Sequence, residues 1–143
     1  MNNYIEFKKE EEKEISLLPI YWAFSEEQLK DVYKKLNIID DEDFKNKCMN
    51  YCGGFILKSD KELINDTLKN LDKKLKFNLD NDDEFLQNAF EYELSNHEYI
   101  VTGELSDVLM ALGMNCDDLI GRKSDILDKA IINYKKEMSE LGW

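Results

Sequence analysis

The sequence predicts a helix-rich α+β fold, a single domain over residues 1–143 with a small antiparallel sheet of short strands. Three observations carry that expectation. Several segments place apolar residues at helical spacing behind Ser or acidic caps. Two short β-like runs flank Gly53-Gly54. Pro19 is the only proline, and no internal repeat or low-complexity linker divides the chain. A purely helical bundle with loops at Trp22 and Gly53-Gly54 is the alternative architecture.

Residues 4–18 set Tyr4, Ile5, Phe7, Ile15, Leu17 and Leu18 among charges. This reads as a first helix, stopped by Pro19, which removes a donor and restrains its predecessor. Ile20-Tyr21-Trp22-Ala23-Phe24 is aromatic and β-branched and reads as a buried strand. Ser25 with Gln28 three residues on forms a capping box for a helix through Leu29, Val32, Tyr33 and Leu36, closed by Asn37. Asp40 to Asp43 opens a short helix or loop. Met49–Cys52 and Phe55–Leu57 read as the arms of a hairpin, because Gly53-Gly54 supplies the positive φ of a tight turn. The same glycine pair lacks the Gly-Lys-Ser/Thr continuation of a phosphate-binding loop.

Ser59 and Glu62 suggest a second capping box, followed by a helix through Leu63, Ile64, Leu68, Leu71 and Leu75 to about Lys76. Asn78–Asp82 reads as a polar break before a helix from Asp83 to about Asn96. Tyr99-Ile100-Val101 reads as a strand closed by Thr102-Gly103. Leu105, Val108, Leu109 and Leu112 form a short helix ended by Gly113. Ser124 caps a last helix through Ile126, Leu127, Ala130, Ile131, Tyr134 and Met138. The expectation is five or six helices with three or four short strands.

Hydrophobic residues make up 43% of the chain, including seven Tyr, seven Phe and two Trp, enough to build a core. Three cysteines, Cys48, Cys52 and Cys116, close no even-numbered framework and suggest a reducing compartment. The Cys48/Cys52 pair has no second pair to complete a zinc site. The charged N-terminal stretch contains no apolar signal segment. No run approaches the roughly 20 apolar residues of a membrane span. A soluble, cytoplasmic protein with no membrane partner and no cofactor is expected.

Charge is the most informative chemical feature. The chain has 31 acids and 19 bases, net −12. The segment 77–121 holds eleven acids and no Lys or Arg, while the other 98 residues are near balance. Such asymmetry produces a directional negative field. It excludes direct binding to nucleic acid and points to a cation, a metal or a basic protein surface. The candidate partner-binding residues are Asp80, Asp82, Asp83, Glu84, Glu91, Glu98, Glu104, Asp107, Asp117 and Asp118.

The eleventh acid, Glu93, precedes the only histidine by one helical turn. Leu86, Phe90, Glu93, Leu94 and His97 share one stripe by their spacing. A carboxyl beside an imidazole can support acid–base chemistry or one edge of a metal site. No second histidine completes a zinc motif, so a structural hydrogen-bonding role is favoured for Glu93 and His97. Trp22, Gly53 and Gly54 are assigned structural roles as well. No Asp-x-Asp-x-Asp-Gly loop is present, and an all-carboxylate Mg²⁺ or Ca²⁺ site stays open.

The landmarks Pro19-Ile20-Tyr21-Trp22-Ala23-Phe24-Ser25, Gly53-Gly54-Phe55-Ile56, Tyr92-Glu93-Leu94-Ser95-Asn96-His97-Glu98-Tyr99, Asp107 to Leu112-Gly113 and Leu141-Gly142-Trp143 together resemble an uncharacterised family of small proteins of bacteriophages and prophages of Gram-positive bacteria. The resemblance implies a phage accessory gene and carries no catalytic residues. Three functions compete. The favoured one is a non-catalytic acidic protein that inhibits a host nucleic-acid-binding defence protein, such as a CRISPR effector, by occupying its basic surface. A small metal-binding or hydrolytic enzyme centred on Glu93 and His97 is the second. A phage structural or assembly protein, a homo-oligomer, is the third.

Overall fold

A computed structural model describes residues 2–143. Among them are eight α-helices and one two-stranded antiparallel sheet. The architecture is helix-rich α+β, as expected, with more helix and less strand than the local patterns suggest. The chain divides into two compact units. One comprises residues 1–12 and 71–143, the other residues 13–70. The boundaries cut two helices, α1 (Asn3–Ser16) and α4 (Lys61–Asn81).

The unit of residues 13–70 holds α2 (Glu26–Lys35), α3 (Asp41–Lys47) and the strands β1 (Cys48–Tyr51) and β2 (Gly54–Leu57). Ser25 caps α2 by accepting the Gln28 amide at 3.2 Å, and the Gln28 side chain accepts the Phe24 amide at 2.7 Å. Asn37 takes the left-handed conformation at φ 56°, and the Ile38 amide returns to Tyr33 O at 2.8 Å to close the helix. Asp40 caps α3 through the Asp43 amide. Ser59 lies in a 3₁₀ turn, Lys58–Asp60, that leads into α4 and has no side-chain cap; the expected capping box does not form.

The hairpin exists, but its turn is one residue earlier than expected. Tyr51 faces Gly54, so Cys52 and Gly53 are the turn residues, both at positive φ (48° and 85°). This is the primed turn geometry that suits the strand twist. Gly54 is a strand residue for a different reason. A Cβ there would stand 2.6 Å from the Tyr21 carbonyl oxygen and 3.0 Å from the Trp22 ring. Only glycine admits that approach. Ile20–Phe24 is not a buried strand: Tyr21 alone bridges to Phe55, and Phe24 is exposed. Trp22, half exposed at 48%, lies over the two glycines.

In the other unit α4 runs on to Asn81, through the expected polar break, and Asp82 caps α5 (Asp83–Asn96). Tyr99-Ile100-Val101 is one helical turn, α6 (Tyr99–Thr102), and not a strand. Its β-branched residues are overridden by packing: Tyr99 and Ile100 join the core, and the Ile100 amide donates to the Tyr134 hydroxyl at 3.1 Å. α7 (Ser106–Ala111) ends at Gly113, φ 66°. α8 (Arg122–Glu140) starts two residues before Ser124, after Gly121, so Ser124 does not cap it. α5 packs most extensively on α8, and Phe85, Leu86, Ala89, Phe90 and Leu94 are buried there with Ile126, Leu127, Ala130 and Tyr134.

Candidate functional site

Glu93 lies on the apolar stripe of α5 and is 1% exposed, the one buried acid among the described residues. An isolated carboxylate at that depth carries a large desolvation cost unless donors surround it. α1 supplies them. Tyr4 donates its hydroxyl to Glu93 Oε1 at 2.8 Å, and Lys8 Nζ lies 3.6 Å from the same oxygen. Asn96 Nδ2 donates to Oε2 at 3.4 Å. His97 Nε2 is 3.2 Å from Oε2 but without hydrogen-bond geometry, and it has no other partner. The imidazole is the C-cap residue of α5 and is partly exposed.

The Tyr4 ring is held edge-on by Phe85 and tilted against Tyr92, each at 5.5 Å. Lys8 Nζ sits over the Tyr4 and Tyr92 rings at 5.6 and 5.8 Å. Burial, and then the bond to Glu93, pushes the Tyr4 phenol far above its ordinary value. The phenol is therefore a donor and not a base. The cluster ties α1 to α5 and leaves Glu93 no face open to a substrate. Among the described residues no group of three or more His, Cys, Asp or Glu is placed to hold a metal.

The structure divides the ten candidate partner-binding acids. Asp80 falls in the last turn of α4, the end at which the helix dipole disfavours an acid; Lys123 balances it at 2.9 Å. Asp83 pairs with Arg122, whose guanidinium also donates to Leu79 O at 3.0 Å and so joins the α4 end to the α5 start. Asp82 accepts the Phe85 amide, Asp118 the Asn115 amide, and Glu91 the Asn133 side chain. Glu84, Glu98, Glu104, Asp107 and Asp117 are exposed, and none belongs to an ion pair among the described residues. Overall, the unit of residues 1–12 and 71–143 carries 20 acids and 10 bases, net −10, against 11 and 9, net −2, for residues 13–70.

Spacing does not reveal two features of this unit, the buried contact at Glu93 and a groove. Tyr4 and Lys8 reach Glu93 from 89 and 85 positions away; their i, i+4 spacing around Phe7 is the local signal of a second stripe. A groove of about 270 Å³ between α6 and the end of α8 joins Ile100 and Val101 to Tyr134, Met138 and Trp143, with Glu98 at its edge.

The chain belongs to a family of unknown function, DUF7659, whose model matches residues 3–137. No curated protein and no solved structure matches it.

Proposed function

We propose that the protein is a non-catalytic acidic interaction protein, encoded by a phage or mobile element, that inhibits a host nucleic-acid-binding protein by occupying its basic surface. One observation carries the reading. The unit built on α5 and α8 is net −10, and five of its acids, Glu84, Glu98, Glu104, Asp107 and Asp117, are exposed and outside any ion pair among the described residues. Its field would steer a basic groove toward it and would compete with phosphates for the same cations. A non-catalytic role is supported by Glu93, whose buried carboxyl is occupied by Tyr4, Lys8 and Asn96. The sequence landmarks support the phage setting, and a defence protein such as a CRISPR effector fits the partner.

The test is affinity capture from a host extract at low salt, followed by displacement of nucleic acid from each captured protein. The expected partner binds DNA or RNA and releases it when the acidic protein is added, less so as salt rises. Capture of capsid or tail proteins alone, or captured proteins that keep their nucleic acid, overturns the reading.

A further inference from the structure

Two features meet at the groove between α6 and the end of α8, exposed apolar side chains and an unpaired acid. Its lining is mixed: Ile100, Val101, Met138 and Trp143 are apolar, Ser95 and Glu98 polar, and Val101 and Trp143 are 64% and 70% exposed. Tyr134, 2% exposed, lines the groove too. Its hydroxyl accepts the Ile100 amide at 3.1 Å and so fixes α6 against α8 at the groove. Glu98, at the edge, has no ion-pair partner among the described residues and is held in the left-handed conformation at φ 52°. That conformation closes α5 one residue past its C-cap, as Asn37 closes α2, and fixes where Glu98 leaves the helix.

We propose that this groove is the docking pocket for a basic segment of the partner, one that carries an apolar anchor between lysines or arginines. The proposal rests on the acidic-interaction reading above and names its contact point. The anchor enters among Ile100, Val101 and Met138. A flanking Lys or Arg pairs with Glu98 and lies against the Trp143 ring, where a cation is attracted to the π face. Charge complementarity selects this occupant over a second copy of the chain, because the unit that holds the groove is net −10 and would repel itself.

The chain has two tryptophans, Trp143 at the groove and Trp22 in the other unit, so their indole N–H signals in nuclear magnetic resonance separate the groove from the rest. The probe is a short synthetic peptide with a central Leu-Met pair between lysines and arginines. Two controls replace the pair by serines or the cations by serines. The expected result is a shift of the Trp143 signal and not of Trp22, with each control at least about tenfold weaker, roughly 1.4 kcal/mol. Glu98→Gln should flatten the salt dependence, and Val101→Ser should weaken binding several-fold; both side chains are exposed, so neither change removes core packing.

If the basic peptide without Leu-Met binds equally well, the groove is not the contact and the electrostatic reading survives. If the neutral peptide with Leu-Met binds equally well, the basic occupant is wrong. An unmoved Trp143 signal at saturating peptide also overturns the proposal. The displacement experiment decides the parent reading separately.

Discussion

Replacing Tyr4 by Phe should unfold the protein more readily by an amount fixed by one buried bond. The ring stays, so its edge-on contact with Phe85 and its tilted contact with Tyr92 are kept. What is lost is the 2.8 Å donor to a carboxyl that is 1% exposed. A hydrogen bond to a charged group contributes about 1.5–3 kcal/mol, and no water replaces it freely at that depth. For a chain of this length roughly 1 kcal/mol moves the melting temperature by about 4 °C, so Tyr4→Phe should lower it by about 6–12 °C. The bond predicts more than a loss. In a Glu93→Leu background the Tyr4 hydroxyl has no acceptor, and removing it should then cost under about 1 kcal/mol or even stabilise. Urea unfolding of the two single variants and the double variant, read by circular dichroism with hydrogen exchange at the α5 amides, gives the coupling. A Tyr4→Phe cost that is equal in both backgrounds refutes the idea that Glu93 is held by Tyr4.

The Tyr4 phenol holds its proton more tightly in the folded chain than in the unfolded one, where it leaves near pH 10.0. Its contribution is therefore whole below that pH and is lost as pH rises above it; wild type should lose stability in alkali with a steeper slope than Tyr4→Phe. Gly54→Ala should destabilise the unit of residues 13–70 by about 1–3 kcal/mol, because the new methyl meets the Tyr21 carbonyl, whereas Gly53→Ala meets only the Trp22 ring at 3.6 Å and should cost less, mainly through its positive φ; equal urea midpoints for the two would contradict the packing. Reversing Glu98 and Glu104 to Lys, both exposed and outside any helix's first turn, should slow association with a basic partner and reduce its salt dependence while leaving the melting temperature within about 2 °C. Unchanged rates and slopes would assign the charge to solubility.

Local signals were enough for α2 with its cap and for the apolar stripes of α4, α5 and α8, because a stripe is written within one segment; the caps expected at Ser59 and Ser124 and the end expected for α4 near Lys76 were not met. Ser25 holds the amide that the sequence assigns to its cap, while Asp40 and Asp82 cap α3 and α5 where the local pattern indicates only a helix or loop start and a polar break. The misread segments are short and aromatic or β-branched. Ile20–Phe24 and Tyr99–Val101 have strand composition, but neither has a neighbouring strand along its length to pair with. Composition expresses fit to a pleated surface and cannot show whether that surface exists. The Glu93–His97 spacing was legible for the same reason as the helices. Tyr4, Lys8 and the Tyr134 groove were not, since each depends on a helix far along the chain.

The acidic segment shows why a charge count alone misjudges a surface. Eleven acids stand together in sequence without a cation, yet folding gives different environments to them. Glu93 is internal, Asp80 and Asp83 meet Lys123 and Arg122 from α8, and Asp82 and Asp118 hold backbone amides. The two exposed pairs contribute little to stability, at most about 1 kcal/mol each, but they cancel field near the α4–α5 junction. Glu98, Glu104 and Asp107 lie between Ser95 and Val108, where no Lys or Arg occurs in the sequence and no ion pair forms among the described residues. The groove with Trp143 and Tyr134 opens beside the first of them. A field that served only solubility would not need exposed apolar side chains beside it. Their coincidence with uncancelled charge is the reason to seek a basic partner with an apolar anchor, and not merely a basic one.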